Sequence, residues 1–163
     1  MRKLFLAILF LPLILSSCAQ TRCGTKKVYA YYTSTLPGTQ MVDDNGNPVP
    51  PKPNITRFIY VESDERKVPE IDSVLYDNIS LPASINRVEG NSTVVGNRFQ
   101  DNEELTITAK KGYALWKIDL MSSPSGKPVP VDCKNILLRI KIDGKTCVFK
   151  INEESQLFTL PMY

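Results

Sequence analysis

The fold is decided by the stretch Asn135–Ile151, NILLRIKIDGKTCVFKI. Two runs in which apolar and polar residues alternate flank the dipeptide Asp143-Gly144, a strong signal for a two-residue β-hairpin turn. A turn at this position leaves Arg139, Lys141, Thr146 and Lys150 on the solvent face. It pairs the remaining apolar residues on the opposite face: Ile140 with Cys147, Leu138 with Phe149 and Ile136 with Ile151.

A second hairpin is predicted just before the first. Glu104–Lys110 and Tyr113–Leu120 are strand-like and flank Lys111-Gly112. A two-residue loop places all the apolar partners on one face, which selects this register over a longer loop. The predicted pairs are Ala109 with Ala114, Ile107 with Trp116 and Leu105 with Ile118, which makes Trp116 a core residue rather than a ligand-stacking one.

The rest of the chain also reads as short strands joined by turns. Leu36–Asn54 is a long loop of Gly, Asn, Asp and Pro, whose oxygen-rich centre lacks the spacing of a calcium loop. The charged run Glu62–Lys67 is predicted as a surface turn, and residues 68–76 as either a short helix or an irregular strand. The remaining predicted strands are Lys27–Thr33, Thr56–Val61, Ile79–Asn86 and Ser92–Phe99.

These patterns predict an all-β protein: an antiparallel β-sandwich or partly open barrel of about eight short strands, with immunoglobulin-like character. Residues 27–163 form a single β-domain, or two small β-halves with a boundary near residues 77–103. Gly-x-Pro-Val-Pro occurs at residues 46–50 and again at 126–130. Either an internal duplication of segments 44–71 and 124–151 or convergence on the same turn chemistry explains this similarity.

The N-terminus has the layout of a secretory signal. Arg2 and Lys3 precede an apolar run from Leu4 to Leu15, and small residues follow. The run contains about a dozen residues, whereas a helix that crosses a bilayer needs about 20. A cleaved signal is therefore a better interpretation than a retained transmembrane span.

The end of this segment resembles the lipobox of bacterial lipoproteins, with Leu15 at the apolar position, Ser16 and Ser17 at the small positions, and Cys18 at the lipidated one. The resemblance implies a diacylglycerol thioether on Cys18, cleavage after residue 17, and a short tether over residues 18–26. It implies a lipid-anchored protein of the cell envelope, with the outer membrane favoured and the mature domain outside the cytoplasm. The alternative is ordinary secretion with cleavage after Ala19.

Charge and composition exclude several function classes. The signal carries two Lys or Arg and no Asp or Glu, so the mature chain has 18 cationic and 17 anionic side chains. This near-neutral balance gives no basis for a nucleic-acid partner. The chain contains no histidine, which excludes a Ser-His-Asp or Cys-His site built from its own residues.

Three cysteines remain once Cys18 is assigned to lipid. Cys133 lies seven residues before Ile140, the predicted partner of Cys147, which separates the two cysteines by more than about 20 Å along a straight strand pair. A disulfide needs Cα atoms within about 7 Å, so a bridge uses Cys23 with Cys133 or Cys147. The alternative is three reduced cysteines.

No motif of catalysis or cofactor binding occurs. The chain has no Gly-rich phosphate loop, no nucleophile elbow and no C-x-x-C pair. Adjacent carboxylates such as Glu103-Glu104 and Glu153-Glu154 point to opposite faces of a strand. We therefore predict no catalytic residue, no metal and no cofactor.

The predicted function is a non-enzymatic envelope lipoprotein that binds the membrane through its anchor and a protein or glycan partner through its domain. One alternative is an envelope enzyme that acts on glycan or peptide through carboxylates distant in sequence. Another is an inhibitor-like domain in which the loop Leu36–Asn54 inserts into a partner.

Overall fold

The computed structural model describes residues 23–36, 38, 41–124, 126–131 and 133–158. We find no helix in these ranges with the length and apolar character needed to cross a membrane. The strands of the described chain are β1 (Thr25–Thr35), β2 (Met41–Val42), β3 (Pro48–Val49), β4 (Asn54–Asp64), β5 (Glu70–Tyr76), β6 (Ile79–Ser80), β7 (Ala83–Arg87), β8 (Ser92–Arg98), β9 (Glu104–Thr108), β10 (Tyr113–Leu120), β11 (Ile136–Ile142), β12 (Lys145–Ile151) and β13 (Ser155–Phe158).

Two sheets form the body. The larger has the order β7-β10-β4-β1-β13-β8-β9, the smaller has the order β12-β11-β5-β6, and β2 and β3 form a separate ribbon. The all-β prediction is therefore confirmed, and the two layers are consistent with a sandwich. In the larger sheet, strands that are far apart in sequence lie next to each other: β4 is beside β10, and β1 is beside β13. One pair, β1 with β13, is parallel, in contrast to the antiparallel pairing expected throughout.

The described strands outnumber the eight or so expected, in part because the predicted strand Ile79–Asn86 divides. The amide of Leu81 donates to the carbonyl of Val74, and the amide of Met121 donates to the carbonyl of Pro82. The first half of the segment therefore pairs in the small sheet as β6 and the second half in the large sheet as β7. The chain crosses between the two layers at Leu81-Pro82.

The hairpin that decides the fold forms in the predicted register. Asp143 and Gly144 have φ values of 51° and 72°, and two positive φ angles are what a tight hairpin turn of this kind requires. β11 and β12 pair as expected, with Ile140 opposite Cys147, Leu138 opposite Phe149 and Ile136 opposite Ile151. Within residues 68–76, whose prediction was left open, Glu70–Tyr76 form the strand β5, which extends the same sheet.

The second predicted hairpin is wrong. The amide of Tyr113 does donate to the carbonyl of Lys110, but β9 pairs with β8, and β10 pairs with β4 and β7. The prediction considered only one face of β10. Leu115 and Trp116 are both buried, so this strand packs on both faces and needs a central place in a sheet. Trp116 is a core residue, as expected.

The predicted surface turn Glu62–Lys67 is wrong at its first residues. β4 continues to Asp64, and Glu62 is only 1% exposed. Its Oε1 accepts the backbone N–H of Lys110 at 2.9 Å. A buried carboxylate is tolerated when it accepts such hydrogen bonds, and this partner is 48 residues away, beyond the reach of a local pattern.

The core lies on both faces of β4. Ile59 and Val61 belong to the cluster between the two sheets, together with residues of β5, β10 and β11. Phe58 and Tyr60 belong to a second cluster with residues of β1, β9, β10 and β13. β4 and its long partner β1 therefore form the rigid centre of the domain, and they connect its two ends.

The two segments of the proposed internal repeat adopt different arrangements. In the first, β4 and β5 belong to different sheets, whereas in the second β11 and β12 form one hairpin. The shared Gly-x-Pro-Val-Pro pattern thus precedes two different chain paths.

Candidate functional site

The sandwich has two ends, which we define by the direction of β1. At the proximal end, where β1 begins, Asp64 donates its amide to the carbonyl of Gly24, and Glu65 donates to Gly112. An ion pair between Lys67 Nζ and Asp143 Oδ2, at 2.7 Å, brings the β11–β12 turn to the same end. At the distal end, β1 finishes at Thr35 opposite Asn54, the first residue of β4.

A disulfide joins Cys23 to Cys147 at the proximal end, with Cα atoms 6.1 Å apart and a sequence separation of 124. Of the two pairings left open by the sequence, this is the one formed. Cys133 is a buried free thiol whose Sγ contacts the carbonyl of Asn135, and burial raises its pKa. Cys18 lies outside the described residues.

The distal end holds a cleft of about 530 Å³, which we name the distal cleft. It is lined by Pro53–Arg57 at the start of β4, by Leu81, by Leu120–Ser123 at the end of β10, and by Lys127–Val129. Its volume falls within the range of small-molecule sites, about 300–1,000 Å³. The described lining contains apolar, hydroxyl, amide and cationic groups but no carboxylate.

The cleft exists because β10 leaves β4 before β4 ends. Their pairing stops at Asp119 opposite Phe58, after which Leu120 remains beside Ala83 of β7. Residues Asn54–Arg57 keep β1 on one side and face the cleft on the other. Among the described residues, no backbone hydrogen bond joins Asn54–Arg57 to the segment that follows β10.

Arg57, which lines the cleft, belongs to a group of three buried polar side chains with Tyr76 and Glu154; we call this group the Arg57 cluster. Arg57 Nε donates to Glu154 Oε2 at 3.2 Å, and the Tyr76 hydroxyl donates to Glu154 Oε1 at 2.6 Å. The Arg57 and Glu154 side chains are 7% and 2% exposed, and the guanidinium lies 5.3 Å from the centre of the Tyr76 ring. The cluster connects β4 and β5 to the segment that leads into β13.

Burial dominates the electrostatics of this cluster. It raises the pKa of Tyr76 and the pKa of Glu154, and the hydrogen bond from Tyr76 and the charge of Arg57 only partly offset the effect on Glu154. Both oxygens of Glu154 accept hydrogen bonds within the cluster. The carboxylate is therefore committed to neighbouring side chains and is not directed at the cleft as an acid or base.

The cluster also holds one wall of the cleft in place. Arg57 Nη2 donates to the carbonyl of Pro130 at 2.6 Å, in the segment between β10 and β11 that contributes Lys127–Val129 to the lining. Hydrogen bonds to a charged donor are among the stronger ones in proteins. Arg57 thus couples the sheet to the loop and makes the cleft a preformed feature.

Other candidate residues occupy structural positions. Asp43 Oδ1 accepts the backbone amides of Asn47 and Asn45, which lowers the pKa of Asp43 and closes the β2–β3 turn. No group of three or more cysteine and carboxylate side chains in the described ranges is placed to hold a metal. Tyr31, Phe58 and Tyr60 pack in the second core cluster.

The sequence did not indicate the Arg57 cluster. Glu154 is 97 residues from Arg57 and 78 from Tyr76, and nothing near any of the three marks them as partners. In the sequence, Glu154 is notable only as a neighbour of Glu153.

A scan against protein-family models, a search of curated proteins and a search of solved structures found no match to this chain.

Proposed function

We propose that this chain is a bacterial cell-envelope lipoprotein, anchored through a lipidated Cys18 with the outer membrane favoured, and that its domain is a non-catalytic binding or assembly module. The path of β1 carries the proposal. This strand has 11 residues. It begins at Thr25, two residues after Cys23, and ends at the distal cleft. An anchor at Cys18 therefore attaches to the chain shortly before the start of this strand, and the cleft lies at its other end.

Chain geometry supports an upright display of the cleft. Four residues lie between Cys18 and Cys23, so the two Cα atoms are at most about 18 Å apart. β1 then rises by about 33 Å at roughly 3.3 Å per residue. Since the disulfide fixes Cys23 to the small sheet as well, the proximal end stays near the membrane while the cleft faces away from it.

The chemistry of the cleft favours binding over carboxylate catalysis. A glycosidase needs two carboxyl groups about 5–10 Å apart across one substrate, and the described lining of the distal cleft contains none. The buried carboxylate of Glu154, which is not part of that lining, is held by Arg57 and Tyr76. These observations support a module that recognises a partner without transforming it.

The inhibitor-like alternative places the contact in the loop Leu36–Asn54, which also lies at the distal end. Leu36 and Val42 are exposed there at 68% and 62%. The last residue of this loop, Asn54, also lines the distal cleft. The loop and the cleft therefore belong to one distal face, and an inhibitor would also use the end opposite the anchor.

Photo-crosslinking in the native envelope tests the binding role. A photoreactive amino acid replaces Met121, which is exposed beside the distal cleft, or Lys111, which is exposed at the proximal end. We expect a discrete crosslinked adduct from position 121 and none of the same mass from position 111. Absence of an adduct from position 121, or the same adduct from both positions, would contradict the proposed role of the distal end.

Replacement of the lipidation residue tests the anchor. Cys18→Ser removes the thiol that accepts the diacylglycerol, so we expect an uncleaved precursor and no labelling by a fatty-acid analogue. The matched control is Cys133→Ser, which removes a buried thiol and leaves processing unchanged. Normal processing of Cys18→Ser would indicate ordinary secretion, with cleavage after Ala19.

A further inference from the structure

The distal cleft contains an open strand edge, and we propose that it binds an extended peptide segment of a partner protein, carrying an acidic side chain, by strand addition along Asn54–Arg57. This inference rests on the proposed function and specifies the partner chemistry of the same site.

The backbone of β4 carries the argument. Each residue of a β-strand directs its N–H and C=O groups sideways, and in an antiparallel pair every second residue directs both groups away from its partner. β1 occupies one side of Asn54–Arg57. On the other side β10 stops pairing at Phe58. The amide of Glu65 donates on the β10 side and the amide of Asp64 on the β1 side, so by alternation Ile55 and Arg57 direct their backbone groups toward the cleft, whereas Asn54 and Thr56 direct theirs toward β1.

An unpaired strand edge is a template for another chain. Peptide recognition by strand addition obtains its affinity from main-chain hydrogen bonds and its specificity from alternate side chains. Four residues of β4 are about 13 Å long at 3.3 Å per residue, which matches a short extended segment. A globular ligand or a sugar would leave this row of backbone donors and acceptors only partly used.

The walls of the cleft suit a peptide with alternating side chains. Ile55 and Arg57 lie on one face of β4, and Asn54 and Thr56 lie on the other, because successive side chains alternate. Met121 and Val129 provide apolar contacts from the opposite wall. Arg57 fixes that wall through Pro130, so the peptide enters a site that needs little reorganisation.

The charge of the cleft indicates an acidic residue in the peptide. Arg57 is compensated by Glu154, whereas Lys127 is exposed on the rim and forms no ion pair with a described residue. The described lining has no carboxylate that competes for this cation. An Asp or Glu of the incoming segment near Lys127 gains a favourable contact, and a basic residue is disfavoured.

The test uses the full lipidated chain in detergent micelles and a random octapeptide library displayed on phage. We expect enrichment of peptides that contain Asp or Glu. A synthetic enriched peptide should lose at least tenfold in affinity when alternate backbone amides are N-methylated, because N-methylation removes donors and keeps the side chains. Amide exchange at Ile55 and Arg57 should slow when the unmodified peptide binds, whereas exchange at Thr56, whose amide is directed toward β1, should change less.

Matched charge reversals locate the contact. Lys127→Glu should weaken binding of the acidic peptide at least tenfold, while Lys111→Glu, a reversal at the proximal end, should change it less than twofold. Failure to enrich any peptide would overturn strand addition, as would affinity that is insensitive to N-methylation at every position. Either result would leave the crosslinking test of the binding role intact, because a glycan or another ligand would still give an adduct at position 121.

Discussion

Arg57→Met is expected to lower the free energy of unfolding by about 3–5 kcal/mol, the usual cost of removing one partner of a buried ion pair. Methionine fills much of the same space, but Glu154 is left buried with Tyr76 as its only remaining partner in the cluster. The carbonyl of Pro130 also loses its donor. Chemical denaturation at pH 7 measures the change.

Two controls separate this effect from an ordinary surface substitution. Arg98→Met removes an exposed arginine near Asp101 and Glu103, and exposed pairs contribute at most about 1 kcal/mol. Adding Glu154→Gln to Arg57→Met removes the uncompensated carboxylate and should recover part of the loss. If Arg57→Met costs no more than Arg98→Met, the buried cluster does not stabilise the domain as we describe.

Arg57→Met should also change the dependence of the free energy of unfolding on pH. Burial raises the pKa of Glu154 above its ordinary value, so the folded state retains a proton that the unfolded state has already lost. The contribution of Glu154 to the free energy of unfolding is therefore largest below its unfolded pKa of about 4.3. It declines as the pH rises through the pKa of Glu154 in the folded state. Removing Arg57, which lowers the pKa of Glu154, extends the decline to higher pH, so the penalty should be larger at pH 8 than at pH 5.

Cys23→Ala is expected to lower the free energy of unfolding by about 2–5 kcal/mol, because the disulfide that it removes closes a very long loop. Reductant should destabilise the wild-type chain by a similar amount and leave Cys23→Ala unaffected. Thermal unfolding with and without reductant measures both effects.

Cys133→Ala provides the matched control for the disulfide. Cys133 is a buried free thiol, and its replacement removes one small side-chain atom without affecting any cross-link. We expect a smaller loss than for Cys23→Ala and an unchanged response to reductant. A reductant response that disappears in Cys133→Ala and persists in Cys23→Ala would mean that the bridge uses Cys133.

The parts of the fold that the sequence predicted are those in which local information is sufficient. Asp143-Gly144 specifies its own turn, and the alternation on either side specifies one register, so β11 and β12 pair as expected. Lys111-Gly112 also makes a turn, but a turn does not determine which strands pair beyond it. β10 is buried on both faces and pairs with β4, which lies about 50 residues earlier in the chain.

The candidate site depends almost entirely on contacts of this long-range kind. Glu62 looked like part of a charged turn because its partner, the amide of Lys110, is invisible to local patterns. Arg57, Tyr76 and Glu154 meet only after both sheets form. The open edge at Asn54–Arg57 is a property of where β10 ends relative to β4, which composition and periodicity do not encode.

The central claim is that one end of the domain lies at the membrane and the other displays the distal cleft. Spin labels at Lys111→Cys and Met121→Cys, each in a Cys133→Ala background, measure this directly when the full lipidated chain is placed in bilayers with paramagnetic headgroups. Our account predicts strong relaxation enhancement at position 111 and little at position 121, because the two positions flank the 8-residue strand β10, which is about 25 Å long at 3.3 Å per residue. Equal enhancement at the two positions, or greater enhancement at position 121, would contradict it.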